Sequence, residues 1–168
     1  MERPYWFAAY TRPNFERLVA RQLERKGLLF FLPKISCRTR RNQKLIYVKR
    51  PLFRSYIFTC FRPNPLEFLR VYRTYGLVYI LGRNGRPEPV PDEEIESIRI
   101  FINKRAEEIR VYHHLIKGEK VVVASGPLKG AIGVILHRRD KKKELVVSIE
   151  LMNRSVAVTL AEEKVDPI

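Results

Sequence analysis

Twelve consecutive residues constrain this chain more than any other stretch: Arg50-Pro51-Leu52-Phe53-Arg54-Ser55-Tyr56-Ile57-Phe58-Thr59-Cys60-Phe61. Aromatic and β-branched residues dominate them, Pro51 opens the run, and Pro63 and Pro65 close it, which predicts a β-strand along its whole length. Successive side chains of a strand leave on opposite faces. Leu52, Arg54, Tyr56 and Phe58 then share one face, and Phe53, Ser55, Ile57, Thr59 and Phe61 share the other. Both faces are apolar, so both need a cover. The helices of a small domain can supply one cover; the other is a second sheet or the surface of a partner.

Charge says what kind of partner to look for. Lys and Arg number 33 against 18 Asp and Glu, a net charge of +15. Residues 1–86 alone hold 19 basic and 4 acidic side chains (Glu2, Glu16, Glu24 and Glu67), so the whole excess lies there and residues 87–168 are neutral overall. Such a distribution presents one electropositive region, and a polyanion is its natural ligand. At 168 residues and 45% apolar content the chain has room for one or two globular domains with modest cores. No apolar run reaches the roughly 18 residues of a membrane span, and no secretory pattern opens the chain. A cytoplasmic protein without a membrane partner is expected, acting as a monomer. Cys37 and Cys60 are far apart without ligand spacing, and are expected as small buried fillers in a reducing compartment.

Along the chain, Tyr5 to Tyr10 reads as a strand. A helix opened by Pro13-Asn14 follows, with Phe15, Leu18, Val19 and Leu23 at helical spacing and Gly27 to stop it. Leu28 to Leu32 is a second strand. Arg38 to Lys44 is a basic loop or hairpin tip. Residues 65–72 predict a short helix packing through Leu66, Leu69 and Phe68, and Leu77 to Leu81 a further strand. Asp92-Glu93-Glu94 favour a helix start, and Ile95, Ile98, Phe101 and Ile102 give that helix a buried stripe. This order predicts an α+β sandwich, helices on an antiparallel sheet, over residues 1–103. Residues 104–116 read as a linker. From 117 to 168 the period changes to two: Lys120–Ala124, Ala131–His137, Glu144–Leu151 and Ser155–Leu160 predict the strands of a small β-barrel.

Lys117-Gly118-Glu119-Lys120-Val121-Val122-Val123-Ala124-Ser125-Gly126-Pro127-Leu128-Lys129-Gly130-Ala131-Ile132-Gly133-Val134-Ile135 resembles a KOW motif. Its glycines suit a tight turn and a close strand approach that leave no room for a Cβ. Preceded by Trp6 and by Pro51-Leu52-Phe53-Arg54-Ser55-Tyr56-Ile57-Phe58, it resembles the NusG family of transcription elongation factors over nearly the whole chain: an NGN domain, a linker and a KOW domain with an SH3-like barrel. The Pro-Leu-Phe-x-x-Tyr-x-Phe form is most similar to the specialised branch that includes RfaH, LoaP and the UpxY antiterminators.

The resemblance implies that the NGN domain sits on the clamp helices of RNA polymerase and touches the non-template DNA strand, promoting processive transcription of specific operons. The matching polymerase-contact positions are Tyr10, Tyr56 and Phe58, with Phe53 nearby, and Trp6 shares the parity of Tyr10 on the first strand. The matching DNA-contact positions are Arg12, Gln22 and Arg25, and more loosely Arg70 and Arg73; Arg21 projects near Arg25, one helical turn away. Where the family's proline, or Pro-Gly, often introduces a kink, this chain has Arg54-Ser55. With unbroken alternation Phe53 would point away from Tyr56. The KOW domain of such factors takes a ribosomal protein, Rho or a nascent RNA hairpin; Leu128 matches the apolar loop, and Lys129, Arg138, Arg139, Lys141, Lys142, Lys143 and Arg154 form a candidate RNA surface. The alternative is a ribosome-associated KOW protein binding structured RNA. No catalytic constellation, metal-ligand spacing or phosphate-cradling glycine loop occurs, so neither an enzyme nor a cofactor is expected.

Overall fold

The computed structural model describes residues 3–103, 109–113, 118–137, 143–149, 152–160 and 165–168. It divides into two compact units, residues 1–34 with 51–92, and residues 35–50 with 93–168. In chain order β1 (Tyr5–Thr11), α1 (Glu16–Arg25) and β2 (Leu29–Phe31) come first, followed by β3 (Lys34–Arg41) and β4 (Lys44–Pro51). Next are β5 (Tyr56–Phe61), α2 (Pro65–Tyr72) and β6 (Leu77–Ile80), then three two-residue strands, β7 (Gly82–Arg83), β8 (Arg86–Pro87) and β9 (Pro89–Val90). The helix α3 (Asp92–Ile102) precedes β10 (Arg110–Tyr112), β11 (Lys120–Val123), β12 (Ile132–His137), β13 (Lys143–Ile149), β14 (Arg154–Leu160) and β15 (Val165–Pro167).

The first unit is the predicted α+β sandwich. Its antiparallel sheet runs β2-β5-β1-β6, with β9 also on β1. One face of that sheet meets the apolar stripes of α1 and α2. Phe7, Ala9, Ile57, Phe61 and Ile80 from the strands pack with Val19, Leu23 and Val71 from the helices. Phe7 stacks on Phe61 at 4.6 Å between ring centroids, and Phe68 meets both edge-on, at 5.5 and 5.0 Å. Burying each such ring contributes roughly 1.5–3 kcal/mol.

The continuous strand predicted over 50–61 is instead two strands joined by a turn. β4 ends at Pro51 and β5 begins at Tyr56. Between them Ser55 adopts a left-handed conformation (φ 63), and three hydrogen bonds hold it. The buried carboxylate of Glu16 accepts the Ser55 N–H at 2.7 Å. The Ser55 carbonyl accepts the Thr11 N–H at 2.8 Å, and the Tyr56 N–H donates to the Phe53 carbonyl at 3.3 Å. The kink therefore forms without a proline, through a carboxylate from α1. Alternation is broken there, so Phe53 lies edge-on to Phe58 at 6.1 Å rather than across the sheet from it.

Helix faces also depart from expectation. Leu18 is exposed, because α1 turns Val19, Ala20 and Leu23 inward, and Leu66 and Leu69 are exposed, because α2 turns Phe68 and Val71, three apart, toward the sheet. In α3, Ser97 is buried beside Ile95, Ile98 and Phe101, while Ile102 is only half-buried; the Ser97 hydroxyl accepts the Ile132 N–H at 2.9 Å. Of the two expectations for residues 38–44, loop or hairpin tip, the second holds: they end a hairpin, β3–β4, turning at Asn42 and Gln43 with φ of 49 and 62. A second tight hairpin, β7–β8, turns at Asn84-Gly85, between the strand and helix that the sequence predicts on either side.

The second unit is β-rich, as the period-two pattern predicts. Six antiparallel strands run β10-β14-β13-β12-β11-β15. The expected four are joined by β15 and by β10, which pairs with β14 inside the segment read as linker. The motif's glycines are needed where they stand. A Cβ on Gly133 would run into the Val146 carbonyl of the neighbouring strand, and Gly130 turns at a φ of 87. The nearly fully buried Glu144 accepts the Tyr112 hydroxyl at 3.2 Å. Burial, and then this carboxylate, push the Tyr112 pKa up.

Trp6 is the only tryptophan, so its fluorescence in urea reports the first unit. Glu16→Ala is expected to lower that unit's stability by about 2 kcal/mol, the worth of a hydrogen bond to a charged group. Ser55→Val is expected to cost about 1 kcal/mol beyond the strain serine already carries, because a β-branched residue fits the left-handed region worse, and Ser55→Gly to relieve that strain.

Candidate interaction surfaces

The sheet face turned away from α1 and α2 carries an aromatic run built by strand register. Tyr10 of β1 lies opposite Tyr56 of β5 on one side and Tyr79 of β6 on the other. The rings touch in sequence, Tyr56 edge-on to Tyr10 at 5.3 Å and Tyr79 stacked on Tyr10 at 5.2 Å. Tyr10 and Tyr56 are half-buried and Tyr79 is 46% exposed. Toward the other end of β1 the face closes. Ala8 lies opposite Phe58, and both are fully buried. Phe31 stacks on Phe58 at 6.0 Å, and Trp6 meets Phe31 edge-on at 6.4 Å.

The five predicted polymerase-contact residues, Trp6, Tyr10, Phe53, Tyr56 and Phe58, thus share one face. Phe53 and Phe58 are sealed in this conformation, at 3% and 0% exposure. A partner laid on the face meets the tyrosines. Tyr79 escaped the sequence reading because its place depends on the long-range pairing of β6 with β1.

The basic surface forms around α1 and an exposed ring. Tyr75 is 61% exposed. The Arg12 guanidinium lies 5.4 Å from its centroid and Phe15 touches its edge at 5.8 Å. Gln22 clamps the backbone of the same residue: its Nε2 donates to the Tyr75 carbonyl at 2.7 Å and its Oε1 accepts the Tyr75 N–H at 3.2 Å. Two of the predicted DNA-contact residues therefore converge on an aromatic that sequence reasoning missed. The signal was Arg73-Thr74-Tyr75-Gly76, a ring just ahead of a turn glycine.

The other predicted DNA contacts divide. Arg21 lines a cleft of about 340 Å³ with Arg17, Ala20, Glu24, Phe30 and Lys34. Arg25 and Arg73 are exposed. Arg70 is engaged within the fold, paired to Glu67 at 2.7 Å and donating to the Lys26 carbonyl at 2.6 Å. Lys26 answers by donating to the Arg70 carbonyl at 2.9 Å and the Thr74 hydroxyl at 2.8 Å. Desolvation, and then the nearby Arg70 charge, hold the Lys26 pKa below the usual lysine value.

In the β-rich unit Leu128 is buried and Lys129 exposed, so the apolar loop position belongs to the unit's own core. Arg154 donates to the Asn153 carbonyl at 3.2 Å. Arg138, Arg139, Lys141, Lys142 and the side chain of Lys143 lie outside the described residues. Among the described residues no helix is long and apolar enough to cross a membrane, and no three His, Cys, Asp or Glu side chains gather as metal ligands.

The chain thus combines a helix-backed antiparallel sheet, with an aromatic outer face and a basic flank, and a β-rich KOW-like domain. The family model described as "Transcription termination factor nusG" matches residues 4–99, and the chain belongs to the NusG family. Among its relatives, the transcription termination/antitermination protein NusG of Rickettsia bellii is 25% identical, with 93% of this chain and 86% of that protein covered. NusG of Lactococcus lactis is 23% identical, with 97% and 92% covered. A solved structure of Thermotoga maritima NusG superposes with a TM-score of 0.55 at 21% identity, covering 99% of this chain and 98% of that one, and shows the same fold.

Removing the Gln22 clamp in Gln22→Ala is expected to speed hydrogen exchange at the Tyr75 amide about fivefold or more, since each such hydrogen bond is worth about 1 kcal/mol. An unchanged rate would mean that the turn holds Tyr75 without the amide.

Proposed function

We propose that this chain is a transcription elongation and antitermination factor that rides on RNA polymerase, of the specialised branch acting on specific operons. The observation that carries the proposal is the Tyr56–Tyr10–Tyr79 run, a row of three rings in which Tyr10 touches both others, on the open end of a sheet face. A pair of helices, such as polymerase clamp helices, can lay their apolar side chains along such a row. Tyrosines are among the residues most often found as energetic centres of interfaces, with a polar tip that tolerates a wet rim. Seated there, the factor brings its basic flank to the non-template strand. Arg12 and Tyr75 offer a cation and a ring to unstacked bases, and Arg21, Arg25 and Arg73 offer charge to the backbone.

The KOW-like domain is left to recruit a second partner, an RNA hairpin or a ribosomal protein. A ribosome-associated RNA-binding role for the whole chain is less well supported, because the charge excess sits in residues 1–86 and not in that domain.

Single substitutions of Tyr10, Tyr56 or Tyr79 to Ala are each expected to weaken polymerase binding by about 2 kcal/mol, roughly 30-fold. The Trp6 urea transition is expected to move far less than binding does. A pull-down with purified clamp helices checks this, and wild-type binding by all three variants would remove the proposed seat. Arg12→Ala with Arg25→Ala is expected to reduce the salt slope of single-stranded DNA binding by about 1.4, about 0.7 for each phosphate that the variant no longer neutralises.

A further inference from the structure

Apart from Lys34, which lines the Arg21 cleft, the β3–β4 hairpin has no part in either surface above. Residues 34–51 contain seven cations (Lys34, Arg38, Arg40, Arg41, Lys44, Lys49 and Arg50) and no acidic residue. Strand alternation sorts them. In β3, Arg38 and Arg40 are exposed while Ile35, Cys37 and Thr39 are half-buried; in β4, Leu45, Tyr47 and Lys49 are exposed while Ile46 and Val48 are half-buried. One face of the ribbon therefore points to solvent as cations set among Leu45 and the 62% exposed Tyr47. The tip, Arg41-Asn42-Gln43-Lys44, is exposed throughout, two amide side chains between two cations. The base is pinned by the Leu52 N–H, which donates to the Pro33 carbonyl at 2.8 Å.

We propose that this hairpin is a second nucleic-acid contact, and that its ligand is B-form duplex DNA rather than a single strand. The charge calls for a polyanion, and the shape chooses among polyanions. A two-stranded ribbon fits the B-form major groove, about 12 Å wide, whereas the A-form RNA major groove is too narrow and deep to admit it. Side chains two apart on a strand are spaced by about 6.6 Å, close to the interval between neighbouring phosphates, so Arg38 and Arg40 can each meet one. The tip then places Asn42 and Gln43 at base edges, where amides pair with adenine, with Arg41 and Lys44 on the flanking phosphates. The face is distinct from the Arg12–Tyr75 flank, which fits splayed bases. One protein would thereby hold single-stranded and duplex DNA on separate elements.

The test is fluorescence anisotropy of the full-length protein with a DNA duplex of about 25 bp, long enough to span two turns of groove, the corresponding single strand and an RNA duplex of the same sequence, over a salt series without polymerase. In the variant Arg38→Gln/Arg40→Gln/Lys49→Gln, all changes are at exposed side chains, and the far-UV circular dichroism transition, which reads the strands of both units, confirms folding. With three phosphate-neutralising charges removed, the salt slope for duplex DNA is expected to fall by about 2.7 and the single-strand slope to stay within about one unit of wild type. Arg12→Ala/Arg25→Ala is expected to do the reverse. An unchanged duplex slope in the triple variant, an equal reduction on single strand and duplex, or wild-type preference for the RNA duplex would overturn the proposal. The clamp-helix pull-down reads none of these, so either proposal can fail while the other stands.

Discussion

The hydrogen bond from the Ser55 N–H to the buried Glu16 carboxylate is the constraint on which the outer sheet face depends. It fixes the turn that ends the β3–β4 excursion and starts β5, and so sets which residue of β5 faces Tyr10. A slip of one residue would send every β5 side chain to the opposite face. Phe58 would then leave Ala8 for the helix side, and Ile57 would take its place outside. The cost of holding Ser55 left-handed is about 1–2 kcal/mol, and a charge-assisted hydrogen bond in a buried site offsets it. One carboxylate from α1, in the half of the chain that has fewest, thus couples the basic helix to the aromatic face.

The two flanks of the first unit are held by different physics. The sheet's aromatic face is a matter of pairing register, while the α1 flank is a matter of polar clamps between residues about 50 apart in sequence. Gln22 grips Tyr75 from both sides of its peptide, and Lys26 with Arg70 exchange hydrogen bonds to each other's carbonyls. These clamps take Gln22 and Arg70 out of the pool of side chains available to a ligand. What they leave is a ring with defined orientation and an arginine beside it. For a base that must unstack to be gripped, a ring already immobilised lowers the ordering cost of binding.

The sheet-and-helix plan, the change of period near residue 117 and the parity of Trp6, Ala8 and Tyr10 were legible in the sequence, because each rests on a local pattern. The break at 52–55 was not. Aromatic and β-branched residues run through it without a glycine or proline at the bend, and the carboxylate that makes the bend possible is some 40 residues away. The β7–β8 hairpin was legible in principle, since Asn84-Gly85 is a strong turn pair, but the surrounding prolines masked it. Leu66 and Leu69 misled because a two-turn helix offers two apolar stripes, and only the fold decides that Phe68 and Val71 win. Tyr75 and Tyr79 became visible only once distant strands and helices were paired, as functional rings on exposed surfaces often are.

Chemistry separates the closed part of the outer face from the open part. The sealed rings, Phe53 and Phe58, carry no polar atom, so burying them costs nothing in forfeited hydrogen bonds. Trp6 and Phe31 are half-buried between the two parts. At the open end the rings in reach of solvent are tyrosines, each with a hydroxyl that would need a partner if fully buried, and desolvation favours that placement. A partner that covers Tyr10, Tyr56 and Tyr79 gains the area of three rings already aligned by backbone pairing, with little side-chain entropy left to lose. The hydroxyls can stay at its wet edge. Phenylalanine at these positions would make the face a liability in solution. Tyrosine leaves a face that is stable both open and covered.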